Sequence, residues 1–178
     1  MQLYYGKEVK NYNNLRKFPK ATRSSFSPNL PGATTIDFSL NDVLREYPGV
    51  NEADYRNPAI AIRHQDGSTV TNFKFDSYVI NEGKPELSEL PSTYETDEYQ
   101  SETLSIVLKD DFSKLSLTLN YTIFESLPVI TRSVKVENTG ESAVQIEKIA
   151  SLSLDFPAQD FEFTKIIKNS FFMAIFIA

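Results

Sequence analysis

The sequence contains no cysteine, and that one absence closes three routes: a disulfide framework, a thiolate metal site and a cysteine nucleophile. Its single histidine, His64, removes the multi-histidine metal sites. With only six glycines, none of the Gly-rich arrangements that wrap a phosphate is present. Basic residues are in the minority, 18 Lys and Arg against 24 Asp and Glu, for a formal net charge of −6. Phosphate binding needs the opposite balance, so no nucleic-acid partner is expected. No apolar run reaches the roughly 18 residues required of a membrane-spanning helix. No charged n-region followed by an apolar h-region opens the chain, so no secretory signal is visible. The expectation is a cytoplasmic setting, no membrane partner, no metal and no cofactor.

What is present is enough for a core. Hydrophobic residues make up 40% of the 178 and charged residues 24%, a globular balance. The length fits one domain with room for an appendage. Charge is unevenly spread. Lys7, Lys10, Arg16, Lys17, Lys20 and Arg23 face the lone acid Glu8 within the first 35 residues, whereas residues 36–178 carry the other 12 basic and 23 acidic residues. The basic start, rich in Asn, Ser and Pro, reads as a solvated loop, because no repeated aromatic-basic pattern tracks a nucleic-acid strand.

Alternation dominates the second half. Leu104, Ile106 and Leu108 alternate with Ser105, Val107 and Lys109; Leu115, Leu117, Leu119, Tyr121 and Ile123 alternate with Ser116, Thr118, Asn120 and Thr122. Ile130, Arg132, Val134 and Val136 follow, and then Val144, Ile146, Lys148, Ala150, Leu152, Leu154 and Phe156. A two-residue period places one set of side chains on each face of a pleated strand. Arg132 and Lys148 fall on the apolar faces, which predicts a bulge or a change of sheet near them. Asp66-Gly67, between Ile60–His64 and Ser68–Ile80, carries a hairpin signal, because Gly tolerates the positive φ of a tight turn. The four later runs are joined by Asp110–Ser113, Ser126–Pro128 and Asn138–Ser142, connections too short for parallel crossovers, so an antiparallel meander is predicted. The fold class is all-β, a large antiparallel sandwich. One short helix is expected near residues 40–47, with Ser39 as its cap and Pro48 as its stop.

The search for chemistry is mostly negative. A retaining glycosidase needs two carboxylates about 5 Å apart, and spacing nominates no such pair. Asp110-Asp111 reads as a turn with side chains toward solvent. Glu95, Asp97, Glu98 and Glu102 surround Tyr94 and Tyr99 without an Asp-x-Asp-x-Asp-Gly calcium loop, and read as a solvated face. No Gly-x-Ser-x-Gly elbow accompanies His64. The segment that departs from scaffold runs from Tyr47 to Arg63. Pro48-Gly49 forms a rigid reversal, and Asp54, Tyr55 and Arg56 then set an acceptor, an aromatic ring and a guanidinium just before a strand. That grouping suits a hydroxyl-rich ligand such as a sugar. An Asp–Arg pair that merely pins the loop explains the same residues.

Tyr47-Pro48-Gly49, Asp54-Tyr55-Arg56-Asn57-Pro58-Ala59, Arg63 and Asp66-Gly67-Ser68 together resemble the amino-terminal domain of bacterial α-galactosidases of glycoside hydrolase family 36. Gly83-Lys84-Pro85, Leu90-Pro91-Ser92-Thr93-Tyr94, Glu102-Thr103-Leu104, Tyr121-Thr122-Ile123-Phe124-Glu125, Val129-Ile130-Thr131-Arg132-Ser133, Ser151–Asp155 and Asp160-Phe161-Glu162 extend the resemblance from Leu3 to Phe163. It implies a β-supersandwich of galactose mutarotase-like type that packs on a (β/α)8 catalytic barrel and on neighbouring subunits of a homo-oligomer. The parent reaction would be retaining hydrolysis of terminal α-galactosides such as melibiose and raffinose, with both catalytic aspartates in the barrel and none among these residues. Carried over, the loop motif nominates Asp54 as a hydroxyl-binding carboxylate, Arg56 and Arg63 as its neighbours and Tyr55 as packing.

Two departures shape the expectations. The family carries strand-forming residues before Leu3-Tyr4-Tyr5-Gly6-Lys7, and after Phe163 a Leu-x-Gly-x-Trp-x-Arg-Glu type of sequence, whereas this chain has no Trp. The expected organisation is an incomplete sandwich domain over 1–163 and an apolar tail over 164–178, whose last eight residues carry no charge. A truncated enzyme, inert alone, is the first expectation. A stand-alone carbohydrate-binding or structural module and a reading-frame fragment are the alternatives.

Overall fold

A computed structural model describes residues 45–50, 56–87, 96, 100–125, 127–153, 164–168 and 171–175. All regular structure among them is β: β1 (Ile60–Arg63), β2 (Lys74–Glu82), β3 (Ser101–Asp110), β4 (Leu115–Phe124), β5 (Leu127–Asn138), β6 (Gln145–Ile149), β7 (Thr164–Lys168) and β8 (Phe171–Ile175). Three sheets result, with orders β1-β6, β2-β3-β4-β5 and β7-β8. Of the helix expected over 40–47, residues 45–47 are bends and coil and the rest lies outside the described residues. Tyr47 precedes Pro48, and the proline ring crowds a helical conformation in the residue before it.

The described residues divide into two compact units. One takes in β1, β6 and Asp110–Leu115; the other takes in Lys74–Lys109 and Ser116–Glu137. In the first, Ile60 and Ile62 are sealed from solvent, at 1% and 0% exposure. Antiparallel pairing sets Ile60 opposite Ile149 and Ile62 opposite Ile146. Directly opposed residues share a face, yet Ile146 and Ile149 are three apart while Ile60 and Ile62 are two apart. A bulge resolves the mismatch: Ala61 pairs Lys148, Ile62 pairs Ile146, and Glu147 is the extra residue. The irregularity expected near Lys148 is therefore present, and it moves Lys148 off the isoleucine face.

The turn expected at Asp66-Gly67 forms, but the hairpin does not. Gly67 adopts φ 83°, its N–H donates to His64 O (3.0 Å), the His64 N–H donates to Ser68 O (2.8 Å), and Asp66 Oδ1 accepts from the Ser68 N–H (2.9 Å). His64 Nε2 donates to Val70 O at 2.9 Å, so the lone histidine is a turn residue. β1 then pairs with β6 rather than with the returning chain, with Ile149 and Ile146 standing opposite the two buried isoleucines while themselves remaining exposed. The meander is corrected in the same way: β3, β4 and β5 are neighbours as expected, whereas the fourth run leaves them for β1 and, among the described residues, keeps strand pairing over Gln145–Ile149.

Asp110 and Asp111, expected to face solvent together, separate. Asp111 is exposed, but Asp110 is buried and organises the β3–β4 connection. Its Oδ1 accepts from the N–H groups of Phe112 (3.0 Å) and Ser113 (3.3 Å), and Oδ2 from the N–H of Asn72 (2.9 Å). Lys114 closes the turn at φ 56°, and its carbonyl accepts from the Thr139 N–H (2.9 Å) and hydroxyl (2.7 Å).

Within the four-stranded sheet, β4 buries Leu115, Leu117 and Leu119 as the alternation requires. Beyond them the pattern inverts: Thr122 and Phe124 are buried and Ile123 is exposed. The inversion is possible because the buried Thr122 hydroxyl hydrogen-bonds the buried Thr103 hydroxyl at 2.7 Å, and Thr103 Oγ1 also donates to Gly83 O (2.7 Å). A second polar relay crosses three strands, Ser105 Oγ to Asn120 Oδ1 (2.7 Å) and Asn120 Nδ2 to Ser133 Oγ (3.2 Å). Arg132, the other charge on an apolar face, sets its guanidinium carbon 4.7 Å from the centre of the Tyr121 ring, a cation–π stack that suits such a position. Thr164–Lys168 and Phe171–Ile175, the segment read as a tail, pair with each other in antiparallel register.

Candidate functional site

The segment singled out by its chemistry, Tyr47 to Arg63, is mounted on β1 and β6. Pro48 is buried, and its carbonyl accepts from the N–H of Ala59 (2.7 Å) and more distantly of Ile60 (3.4 Å). The chain that leaves at Pro48 thus returns at Ala59 with its ends tied. Tyr47 is buried as well, and its hydroxyl donates to Ala150 O at 2.6 Å, while the Ala150 N–H donates to Ala59 O at 2.8 Å. Gly49 fits against the turn that follows β1: a Cβ at that position would stand 3.3 Å from Thr71 Oγ1. Reversal by Pro48-Gly49 is therefore a matter of both fixed φ and close approach.

Two side-chain ties come from the bulged face of β6. Arg63 directs Nε and a terminal nitrogen onto Glu147 Oε1, each at 2.6 Å. Both side chains remain partly exposed, so the pair contributes at most about 1 kcal/mol and mainly fixes direction. Lys148 donates from Nζ to Asn57 Oδ1 at 2.6 Å, next to the half-buried Arg56. Of the four residues nominated from sequence, Arg63 is thus on β1 and bound to Glu147, Arg56 is at the returning end of the loop, and Asp54 and Tyr55 lie outside the described residues. Sequence reading missed Tyr47, Asn57, Glu147 and Lys148 as parts of the mount. The available signal was the lysine on an apolar face together with the three-residue spacing of Ile146 and Ile149.

The carboxylates here do structural work. Burial pushes the Asp110 carboxyl up, but the Asn72 amide, the Ser113 hydroxyl and the amides of Ser113 and Phe112 outweigh it and hold the group below the ordinary aspartate value. Asp66 is lowered by its bonds to Ser68, and Asp76 by its bond to Lys109. Among the described residues no three His, Asp or Glu side chains gather as a metal ion would require. What the described residues offer is a tethered loop end, in which Arg56 precedes Asn57 and the Asn57 side-chain oxygen is held by Lys148, residue types that suit a polyhydroxylated ligand.

Comparison with known proteins sets this strand-and-loop arrangement among the N-terminal domains of glycosyl hydrolases. Residues 1–166 match the model of the glycosyl hydrolase family 36 N-terminal domain, and the chain belongs to that family. It is 43% identical over 160 residues to α-galactosidase Mel36A of Lactobacillus acidophilus and 41% identical over the same length to α-galactosidase AgaA of Geobacillus stearothermophilus, covering 90% of this chain and 22% of each relative. The crystal structure of the Geobacillus enzyme superposes with a TM-score of 0.79 at 40% identity over 91% of this chain and 22% of that one. A variant of it in complex with raffinose gives 0.80 at 36% identity over 99% of this chain and 25% of that one. The expected all-β class, an antiparallel β-sandwich, is therefore shown. The chain spans about a fifth of the length of the relatives it matches.

Proposed function

We propose that these residues form the non-catalytic amino-terminal domain of an α-galactosidase that hydrolyses terminal α-galactosides such as melibiose and raffinose with retention of configuration. The domain shapes the substrate pocket and takes part in contacts between subunits, while bond cleavage belongs to a (β/α)8 barrel. The observation that carries this reading is the similarity over 160 residues, 90% of the chain, to an α-galactosidase at 43% identity. Within the loop, Asp54 accepts from a galactosyl hydroxyl, Arg56 donates to the sugar, Tyr55 packs, and Arg63 is a neighbour whose direction is set by Glu147.

A nitrophenyl α-galactoside assay tests the division of labour. The purified 178-residue chain is expected to show no turnover, and mixing it with the barrel portion of the enzyme to restore activity. Turnover by the chain alone, abolished by substituting one of its own carboxylates, overturns the proposal. Binding of galactose or raffinose to the chain alone at millimolar strength or tighter, lost in Asp54→Ala, would make it a free-standing sugar-binding module instead.

A further inference from the structure

The bulge in β6 bears on the loop as well as on the core. In Gln145-Ile146-Glu147-Lys148-Ile149, unbroken alternation would put Lys148 on the face of Ile146. Insertion of Glu147 as an extra residue carries Lys148 to the face it shares with Ala61, and from there its ammonium reaches the side chain of Asn57 at 2.6 Å. Asn57 directly follows Arg56. Glu147, the residue spent on the bulge, is bound to Arg63 on the opposite strand, so a slip of β6 that abolished the bulge would break that pair and return Lys148 to the apolar face. The backbone ties at Pro48, Ala59 and Ala150 fix the base of the loop; the Lys148–Asn57 contact is a side-chain tie beyond that base.

Resting on the reading of this loop as part of the substrate pocket, we propose that Lys148 is a positioning residue: it anchors Asn57 and thereby holds the Arg56 end of the loop in its sugar-binding pose. Lys148 touches no substrate. Its effect is to settle the loop's conformational entropy before the ligand arrives, so that binding does not have to supply it. Such a residue acts equally on bound ground state and transition state, which raises KM on removal and leaves kcat alone.

The test uses the complete α-galactosidase with raffinose as substrate, and amide hydrogen exchange as a readout independent of activity. A charge-assisted hydrogen bond at a partly exposed site corresponds to about a three- to tenfold change in an equilibrium. Lys148→Met is expected to raise KM by that factor with kcat within about twofold, and to speed exchange at the amides of Asn57 and Ala59. Lys148→Arg, which can still donate to Asn57, is expected to recover most of both. Arg56→Ala separates the two levels of the inference. If Arg56→Ala raises KM and Lys148→Met does not, the positioning role is overturned. If Lys148→Met speeds exchange while neither variant moves KM, the anchor stands and the substrate reading of the loop falls. Unchanged exchange in Lys148→Met removes the anchor itself.

Discussion

β1 and β2 are both read from sequence as strands, and they end in opposite environments. In β1, Ile60 and Ile62 are closed off from water on one face and Ala61 and Arg63 look the other way. In β2 all nine residues are exposed, including Phe75, Tyr78, Val79 and Ile80, with Tyr78 at 66%. β2 is also the first strand in its sheet order and carries its own bulge at Asp76, held by Lys109 at 3.0 Å. A bulge that bends one end of a strand is a recognised way of discouraging a further strand from adding. Apolar content therefore does not by itself decide burial. What separates the two strands is not the number of strand neighbours, since each has one among the described residues, but what covers their faces: Ile60 and Ile62 are closed off from water, whereas the apolar side chains of β2 are not.

The largest expected effect tests that contrast directly. Ile62→Ala removes three carbons from a fully buried site and should cost about 3 kcal/mol. Ile80→Ala, on β2, should stay within about 0.5 kcal/mol. Urea unfolding of the two variants against wild type measures both. A loss at Ile80 comparable to that at Ile62 would mean that β2 is covered in solution, and the contrast would collapse.

Two carboxylates repeat the contrast in polar form. Asp76 lies on an exposed strand and is bonded to Lys109 and Ser77, whereas Asp110 is 3% exposed and accepts from three backbone amides. Asp110→Ala leaves those three part-buried amides without their acceptor and should cost about 2 kcal/mol. The pH dependence has a definite sign. The folded carboxyl sits below its unfolded value, so its contribution is fully present above the unfolded pKa and is lost as pH falls through the folded one. Wild-type stability should therefore drop more steeply below about pH 4 than that of Asp110→Asn, while Asp76→Asn leaves the urea midpoint at neutral pH unmoved and shows no salt dependence of its own. Parallel acid titrations of wild type and Asp110→Asn would remove Asp110 from this role.

Particular residues show how far the chain could be read in advance. Leu115, Leu117 and Leu119 declared β4 and their own burial, because a two-residue period on a strand with one dry face leaves no other register. Family membership was legible too, since its motifs lie in order along the chain. Pairing was not. Asp66-Gly67 specifies a reversal, but a reversal does not say whether the strands on either side of it bond to each other; β1 pairs instead with β6, some 80 residues further on. Burial of Thr122 was equally hidden, since a threonine in an alternating run reads as the wet face until the hydroxyl that satisfies it is located in space. The loop's mount was half visible: Lys148 looked out of place, and its purpose emerged only when the bulge turned it toward Asn57.

The smallest effect concerns that hidden pair. Thr103 and Thr122 are both buried and share a hydroxyl–hydroxyl bond of 2.7 Å, so the four-stranded sheet, for all the exposure of β2, has a sealed polar point. Thr122→Val keeps the shape and removes one hydroxyl. Thr103 then still donates to Gly83 O, so the loss should be limited to about 1 kcal/mol. Thr103→Val strips both Thr122 and the Gly83 carbonyl of a partner and should cost more, about 2 kcal/mol. In the double variant no hydroxyl remains to be stranded by the other, and its cost should fall short of the sum of the two. A double-mutant cycle by urea unfolding reads the coupling. Strict additivity would mean that the two hydroxyls are separately solvated and that the β3–β4 face is as open to water as β2.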